Sequence, residues 1–330
     1  MGKLRVGQAA DLFLQQSMNR ILLFALLVCI PCASCTGQDT PAPTSTLAPS
    51  NPKVEIASEP PSTPRPIITP PPLPVTPQTT NTSSPTQPSL NPDDWKDWSV
   101  IPSFIDPSLR RVYERGLTLG NDPRAFSIFG DCQTQPDEFF GVFESDPTSL
   151  QNLSPQLRET VAYFEGSFSR EASTSQDGTT PGSLLWTQWH RGEYGCTFAE
   201  TPVQCELRTN RPSFVIIQVG THFESRNTEY LRKIIEQLLD AGVVPILATK
   251  ADNRENDERI NRDMALLASE YDLPLWNFWA AVSGLPNRGL YTRSDRPLQG
   301  DIYLTDEAAL IHRLTGLEAL DAVWRAVTGK

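Results

Sequence analysis

The stretch FSIFGDCQTQ (residues 126–135) holds an apolar run that stops at Gly130 and Asp131. A short apolar run that ends at a glycine is typical of a buried strand. PSFVIIQVG, which ends at Gly220, predicts a second strand, VVPILATK a third and LPLWNFW a fourth. Pro245 lies inside the third run and predicts a bulge or an irregular ladder there.

Amphipathic helices alternate with these strands. NTEYLRKIIEQLLDAG places Leu231, Ile234, Ile235 and Leu238 on one face and ends at a glycine. Similar patterns predict helices in DPSLRRVYERGLTLGN, SPQLRETVAYF, NDERINRDMALLASEYD and the closing TDEAALIHRLTGLEALDAVWRAV. The alternation predicts an α/β domain: a doubly wound parallel sheet with helices on both faces, in three flavodoxin-like layers.

Ligands of such sheets bind beyond the carboxyl ends of the strands. The polar residues that follow the predicted strands are therefore the candidates for a functional site. They are Asp131, Cys132, Thr221, His222, Lys250, Asp252 and Asn253.

Residues 1–35 have the pattern of a secretory signal. A short basic start precedes the apolar run 21–30, which is too short to span a membrane, and small residues follow. Met18 is an alternative start to this signal. CASCTG resembles a lipoprotein signal with Cys35 as the lipidated residue, although Cys32 stands where leucine is usual; an ordinary signal peptide cut nearby is the alternative. We expect an extracytoplasmic protein, anchored to the membrane by a lipid on Cys35.

Residues 36–92 are rich in Pro, Thr and Ser, with ITPPPLPVTP at the centre. They contain too few large apolar residues to form a core, so we expect a disordered, extended linker. Residues 93–330 have the length of one domain. The whole chain has a formal charge of −11; residues 1–35 carry +2 and residues 36–92 carry −1, which leaves −12 for the domain. Such a charge argues against nucleic acid as a partner and against direct docking on anionic lipid.

Three cysteines lie in the domain. Cys196 and Cys205 bracket the polar segment TFAETPVQ, and in an oxidising compartment we expect them to form a disulfide. Cys132 is then a free thiol, or a small buried apolar residue.

Several common sites are not indicated by the sequence. It contains no dinucleotide-binding glycine motif, no P-loop and no HExxH. The histidines are His190, His222 and His312, too few for a histidine-rich metal site. We therefore expect no cofactor and no metal.

From about residue 125 to residue 327 the chain resembles the SGNH/GDSL hydrolase family. SIFGDCQT resembles its first block, a strand that ends in Gly-Asp-Ser. VIIQVGTHFESRN resembles the third block, which ends in Gly-x-Asn, and GDIYLTDEAAL resembles the last, Asp-x-x-His-Leu-Thr before the final helix. Gly178 or Gly182 in DGTTPGSLLW would stand for the oxyanion glycine of the second block.

The resemblance implies acyl transfer, in which a serine attacks an ester, a histidine takes its proton and an aspartate orients the histidine. This chain departs from that pattern at each position. Cys132 replaces the serine, His222 the oxyanion asparagine, Tyr303 the histidine and Gly300 the aspartate. Tyrosine is a poor base near neutral pH because its pKa is about 10. Asp301 is out of register by one residue.

Cys132 and His222 can still form a dyad, since a thiol needs less activation than a hydroxyl. Asp131 or Asp252 would then orient the imidazole. The alternative is that Cys132 and His222 only fill a vacated pocket.

Lys250, Asp252 and Asn253 allow two interpretations. They contact a polar ligand such as a sugar, or they cap and solvate the helix that follows, which the N-cap preference of Asp and Asn favours.

The remaining candidates are aromatic residues and one histidine. Trp186 and Trp189, in an irregular glycine-containing stretch, are candidates for stacking on a carbohydrate, whereas Trp276 and Trp279 are expected in the core. His312, on the last helix, is expected to make a salt bridge or to face solvent.

Two functions follow as hypotheses. The domain is an extracytoplasmic hydrolase that acts on esters or acylated glycans through Cys132. Alternatively, it is a non-catalytic, surface-tethered module that binds a glycan or another polar ligand in the former active-site cleft, with Tyr303 among the contacts. In either case, we expect no ordinary esterase activity, because the family's base and orienting carboxylate are missing.

Overall fold

A computed structural model describes residues 91–330. The expected signal, the lipidation site Cys35 and residues 36–90 of the linker lie outside the described residues. Four strands form one parallel sheet in the order β1-β2-β3-β4, and two form a separate antiparallel pair. The strands are β1 (Asp122–Gly130), β2 (Pro212–Gln218), β3 (Val244–Ala248), β4 (Leu275–Trp276), β5 (Leu290–Tyr291) and β6 (Tyr303–Leu304).

Nine α-helices surround the sheet in the described residues. They are α1 (Ser108–Leu119), α2 (Val142–Ser145), α3 (Pro155–Tyr163), α4 (Pro181–Leu184), α5 (Pro202–Thr209), α6 (Asn227–Asp240), α7 (Arg259–Glu270), α8 (Phe278–Val282) and α9 (Asp306–Thr328). Short 3₁₀ turns cover Pro92–Asp97, Pro147–Leu150, Pro286–Gly289 and Pro297–Gln299. Between residues 91 and 330, no helix is both long enough and apolar enough to cross a membrane.

The chain runs past both edges of β1. On the outer edge, Gly130 forms a parallel bridge with Ser175, and its N–H donates to the carbonyl of Thr174 at 2.9 Å. The Thr174 hydroxyl in turn donates to the carbonyl of Ile128 at 2.8 Å. After this bridge the chain returns to form β2 on the other side of β1. The reversal gives the doubly wound sheet that the sequence predicts, and a ligand cleft is expected at the point of reversal.

Helices cover the two faces of the sheet. α9 packs against α1 and α3, and α6 packs against α7 and α4. The stripe that the sequence predicts for α6 is buried, since Leu231, Ile234, Ile235 and Leu238 are fully buried. β2 is buried along its whole length, as expected for a central strand of a three-layer α/β fold.

Pro245 does not disturb the sheet, and the predicted bulge is wrong. The register between β2 and β3 is regular, with Val215 opposite Pro245. The N–H of Leu247 donates towards β4, and the nitrogen of Pro245, two residues earlier, points to the same side. β4 first pairs with β3 at Leu247, so the missing N–H has no partner to lose. The irregularity lies instead in β1, where the register shifts between Asp122 and Phe126.

The fourth strand is shorter than predicted because Asn277 starts a helix. Its side-chain oxygen accepts from the N–H of Ala280 at 3.3 Å, and its amide donates to the carbonyl of Trp95 at 2.8 Å. Phe278 and Trp279 therefore belong to α8 and not to β4.

The predicted cysteine pairing is confirmed. Cys196 and Cys205 form a disulfide with a Cα–Cα distance of 5.2 Å, and Cys132 is free and buried. Cys205 lies in α5, so the bridge ties the loop before that helix to its first turns.

Gly130 allows the turn that leads from β1 into the site. A Cβ on Gly130 would lie 1.9 Å from the hydroxyl oxygen of Thr134 and 2.8 Å from its Cβ. Thr134 is fully buried, and its hydroxyl donates to the carbonyl of Asp131 at 3.0 Å. The turn can therefore close only against a residue without a side chain.

We expect Gly130→Ala to lower the free energy of unfolding by about 1–3 kcal/mol, the usual cost of overpacking. Gly284→Ala is the control, since a Cβ there meets nothing within 4 Å, and it should change the value by less than about 0.5 kcal/mol. Urea unfolding followed by tryptophan fluorescence measures both. Equal stabilities of the two variants would contradict the proposed close contact.

Candidate functional site

Asp131 joins the carboxyl ends of β1 and β2. Its side chain is buried, and Oδ2 accepts from the N–H groups of Gly220 at 3.2 Å and Thr221 at 3.1 Å. Oδ1 accepts from the N–H of Gln133 at 3.4 Å. The carboxylate thus holds the loop after β2 against the turn after β1.

Asp252 and Lys250 form a second buried connection. Oδ1 of Asp252 accepts from the hydroxyl of Thr221 at 2.8 Å, and Oδ2 accepts from Nζ of Lys250 at 2.8 Å. Nζ also donates to Glu255 at 2.8 Å. Lys250 and Asp252 are 2% and 1% exposed, so they hold the loops together from below the surface.

Asn253 fits the capping interpretation. Its side-chain oxygen accepts from the N–H of Glu258, the residue before α7, at 2.9 Å. The backbone of Lys250 exchanges hydrogen bonds with the side chain of Asn261 in α7, but the side chains of Lys250 and Asp252 bind each other instead of the start of the helix.

A cluster of three reactive side chains lies at the same end of the sheet as these buried hydrogen bonds: Cys132, Asp177 and His222. One thiol, one carboxylate oxygen and one ring nitrogen all lie within 4.8 Å of one another. Nε2 of His222 is 3.6 Å from Oδ1 of Asp177. Cys132 is buried, His222 half-buried and Asp177 exposed. The structure therefore brings the two residues of the predicted dyad to one rim, together with an aspartate that the sequence reading missed.

Asp177 could not be found from the sequence because the segment before it does not look like a strand. STSQ (residues 173–176) is polar, yet it lies against the outer edge of β1 through the single bridge at Ser175. The signal that was available was Gly178, already a candidate as the oxyanion glycine and adjacent to Asp177.

The arrangement differs from a nucleophile–base–acid relay. In a relay the nucleophile and the carboxylate bind different nitrogens of the ring, on opposite edges. Here the thiol of Cys132 and the carboxylate of Asp177 lie within 4.8 Å of each other and of one ring nitrogen of His222. The carboxylates expected to orient His222, those of Asp131 and Asp252, are bound to backbone N–H groups and to Lys250 instead.

The charges around the site disfavour a thiolate. Burial raises the pKa of the Cys132 thiol well above its ordinary value, and the carboxylates of Asp131, Asp177 and Asp252 add to the effect. Burial and the Arg254 guanidinium lower the pKa of His222 below its ordinary value, although Asp177 and Asp252 act in the opposite direction. Near neutral pH the thiol is protonated and the imidazole is neutral.

Tyr303 occupies the place where the family resemblance puts the catalytic histidine. Its hydroxyl donates to Gln299 and accepts from Arg296 at 3.3 Å. Arg296 also binds Oδ2 of Asp177 at 2.7 Å. Asp301, next to Gly300, accepts from the side-chain amide of Asn287 and the hydroxyl of Thr292, both in the β5–β6 region.

The two glycine candidates differ in availability. The N–H of Gly182 donates to Oε1 of Glu224 at 2.6 Å and is therefore occupied. Gly178 lies beside the ring of Trp189, since a Cβ there would be 3.7 Å from that ring. Trp186, nearby in the same stretch, is 53% exposed. Trp276 is fully buried, as predicted for a core residue, and Trp279 is partly buried against the core.

The expectation for His312 is wrong. It is fully buried, with its ring packed between Phe139, Trp276 and Phe278. Its Nε2 is 2.6 Å from the side-chain oxygen of Gln218, the last residue of β2. Burial lowers the pKa of His312 well below its ordinary value, so the ring is neutral. α9 lies close enough to the sheet to insert this ring into the core.

A cleft lies between the turn after β1 and the segment that precedes Asp177, and its lining does not include Cys132, Asp177 or His222. It has a volume of about 630 Å³ and is lined by residues that include Gln135, Ser175, Gln176, Tyr194 and Arg313. Gln176 is the neighbour of Asp177 along the chain, and Gln135 lies in the turn after β1. The volume falls in the usual range of small-ligand pockets.

No protein-family model and no curated protein matches the chain. Among solved structures, it is similar to a GDSL-like lipase from Bacteroides thetaiotaomicron, with 13% identity, a TM-score of 0.40 and coverage of 66% of this chain and 98% of the lipase. It is also similar to a protein named as an acylhydrolase from Bacteroides fragilis, with 13% identity, a TM-score of 0.40 and coverage of 68% of this chain and 100% of the acylhydrolase. A third similar structure is named as a lipolytic protein of the G-D-S-L family from Desulfitobacterium hafniense, with 15% identity, a TM-score of 0.38 and coverage of 61% of this chain and 99% of that protein.

Asp131 should make the stability of the domain depend on pH. Burial, followed by the like charge of Asp252, raises its pKa from 3.8 to about 7. Between these values the folded protein keeps a proton that the unfolded chain has released, so stability is lost as the pH rises through this window. In Asp131→Asn this titration is absent.

We therefore expect the free energy of unfolding of the wild type, minus that of Asp131→Asn, to fall by about 1–3 kcal/mol from about pH 4 to about pH 8. Urea unfolding at a series of pH values measures this difference. A difference that stays constant or grows with pH would show that Asp131 is ionised throughout.

Proposed function

We propose that residues 93–330 form an extracytoplasmic, surface-tethered domain of GDSL-hydrolase-like fold that binds a polar ligand, such as an acylated glycan, and no longer carries out ordinary ester hydrolysis. The observation that carries the proposal is the position of Cys132, His222 and Asp177, whose reactive atoms cluster at one point and do not form a relay.

Thiol catalysis has little support at this site. The nucleophile is a protonated thiol among three carboxylates, and the position of the family's base holds a tyrosine that is already hydrogen-bonded. If His222 acted as the base, the donor that replaces asparagine would be lost from the oxyanion site. Losing one such donor costs about 3 kcal/mol, which is more than a hundredfold in rate.

Ligand binding is supported by the surface beside the site. The cleft of about 630 Å³ has mostly polar side chains on its walls and begins one residue from Asp177. Trp186, nine residues after Asp177 in the chain, is exposed and presents a ring on which a sugar can stack. Polar walls and an exposed aromatic ring suit a hydroxyl-rich ligand.

The tether rests on residues outside the described part of the chain. A signal segment, a lipid on Cys35 and the Pro/Thr/Ser-rich linker would hold the domain away from the membrane. Its charge of −12 would keep it off anionic lipid, so the lipid would be its contact with the membrane.

One observation favours an altered hydrolase as the second candidate. The imidazole of His222 is neutral and therefore able to accept a proton, and it lies within 4.8 Å of the Cys132 thiol. Catalytic hydrogen bonds are often long in the absence of substrate. A slow hydrolase acting on ester bonds through Cys132 would use this pair.

An ester assay separates the two candidates. We expect the full chain and Cys132→Ala to hydrolyse short-chain nitrophenyl esters at the same rate, close to that of buffer alone. Turnover above that of buffer alone at any rate, lost in Cys132→Ala and in His222→Ala, would overturn the proposal and establish the dyad.

Binding is measured separately, by titrating acetylated and deacetylated oligosaccharides against tryptophan fluorescence. We expect saturable binding that weakens by about 0.5–1.5 kcal/mol in Trp186→Ala, the range of one aromatic contact. Leu310→Ala, an exposed apolar residue on α9, is the control and should bind like the wild type. Binding that is unaffected by Trp186→Ala would place the ligand elsewhere.

A further inference from the structure

We infer that Cys132, Asp177 and His222 form a binding site for a soft divalent cation, best matched by Zn²⁺, with the fourth coordination position open to solvent or ligand. The inference concerns the same rim of the sheet but does not depend on whether the adjoining cleft binds a glycan. The small number of histidines predicted that the protein binds no metal. This site needs only one histidine, because its other two ligands are a cysteine and an aspartate.

The donor atoms have nearly the spacing that zinc requires. Zinc lies about 2.3 Å from sulfur and about 2.0–2.2 Å from nitrogen and oxygen, which places tetrahedral ligands about 3.4–3.6 Å apart. Nε2 of His222 and Oδ1 of Asp177 are already 3.6 Å apart. All three donors lie within 4.8 Å of one another, so side-chain movements of about 1 Å would close the site around a cation.

One atom of the cluster lacks a partner that a cation would supply, and a carboxylate oxygen faces it. Nε2 of His222 is buried and has no hydrogen-bond partner, a rare state for a polar atom in a folded protein. Asp177 uses Oδ2 to bind Arg296, which leaves Oδ1 on the side of His222. Arg296 would then orient the carboxylate, as a hydrogen-bonded second residue commonly does at zinc sites.

The position of Cys132 is fixed by its neighbours. Asp131 is bound to the N–H groups of Gly220 and Thr221, which also places the loop that carries His222. The thiol itself is 4.0 Å from Oδ1 of Asp131, at the outer limit of a sulfur hydrogen bond. The sulfur is therefore placed by the backbone and remains available as a ligand.

The chemistry of the donors selects the metal. Mg²⁺ and Ca²⁺ take oxygen ligands, whereas a thiolate, an imidazole and one carboxylate suit Zn²⁺. Binding forms a zinc–sulfur bond and releases the thiol proton to solvent. Thiolate and carboxylate then balance the two positive charges of the ion, and three protein ligands leave one position for a water molecule or an oxygen of the ligand.

The test uses the full chain with Cys29, Cys32 and Cys35 changed to serine, so that Cys132 is its free thiol. Zn²⁺ alone is titrated in competition with a chromophoric chelator. We expect one ion per chain, and we expect Cys132→Ser, Asp177→Asn and His222→Ala each to weaken binding by more than about 100-fold, beyond the loss typical of a supporting residue.

Glu114→Gln is the control, because this exposed carboxylate binds Arg110 one turn earlier in α1, and it should bind Zn²⁺ like the parent. Co²⁺ added to the parent chain should give a thiolate charge-transfer band and tetrahedral visible bands, a readout that needs no folded variant. Absence of stoichiometric Zn²⁺ binding by the parent, equal affinity in Cys132→Ser, or a Co²⁺ spectrum without a thiolate band would each overturn the inference.

Discussion

The buried carboxylate of Asp131 is the interaction on which the functional end of this domain depends. Two adjacent parallel strands end in loops whose N–H groups have no partner in the sheet, and Asp131 accepts from two of them, at Gly220 and Thr221. Such buried donors would otherwise cost free energy. Because the bonds join consecutive strands, the positions of Cys132 and His222 are coupled through one side chain.

The fold could be predicted from the sequence because its signals are local. Apolar runs, two of them ended by a glycine, predicted the strands, and the helices followed from their apolar stripes, as in α6. Pro245 and the extent of β4 were misread because they depend on neighbours. The missing N–H of Pro245 matters only if β4 is long enough to reach it, and β4 is not. Asn277 caps a helix within LPLWNFW, which the apolar composition of this run does not reveal.

The site could be predicted only where residues directly follow a predicted strand. Cys132 and His222 do, and the structure brings them together. Asp177 follows a segment held by one backbone bridge, which leaves no hydrophobic pattern to read. His312 was misjudged because an imidazole is expected at the surface, while this one packs among aromatic rings and bonds to Gln218. The positions of Asp177 and His312 depend on tertiary packing, which cannot be read from a single sequence.

The single bridge between Gly130 and Ser175 also sets how stiff the different parts of the site are. Cys132 and His222 follow strands with several rungs of the ladder. The segment before Asp177 has one rung, supplemented by side-chain hydroxyl bonds from Thr174 and Ser175. The segment that carries Asp177 is thus held by fewer backbone bonds than the strands that carry Cys132 and His222, and it is the more flexible side of the site. Because Asp177 is exposed while Thr174 and Ser175 are buried, sequence change at Asp177 can alter the opening at little cost to the sheet, so the shape of the opening and the stability of the domain can evolve separately.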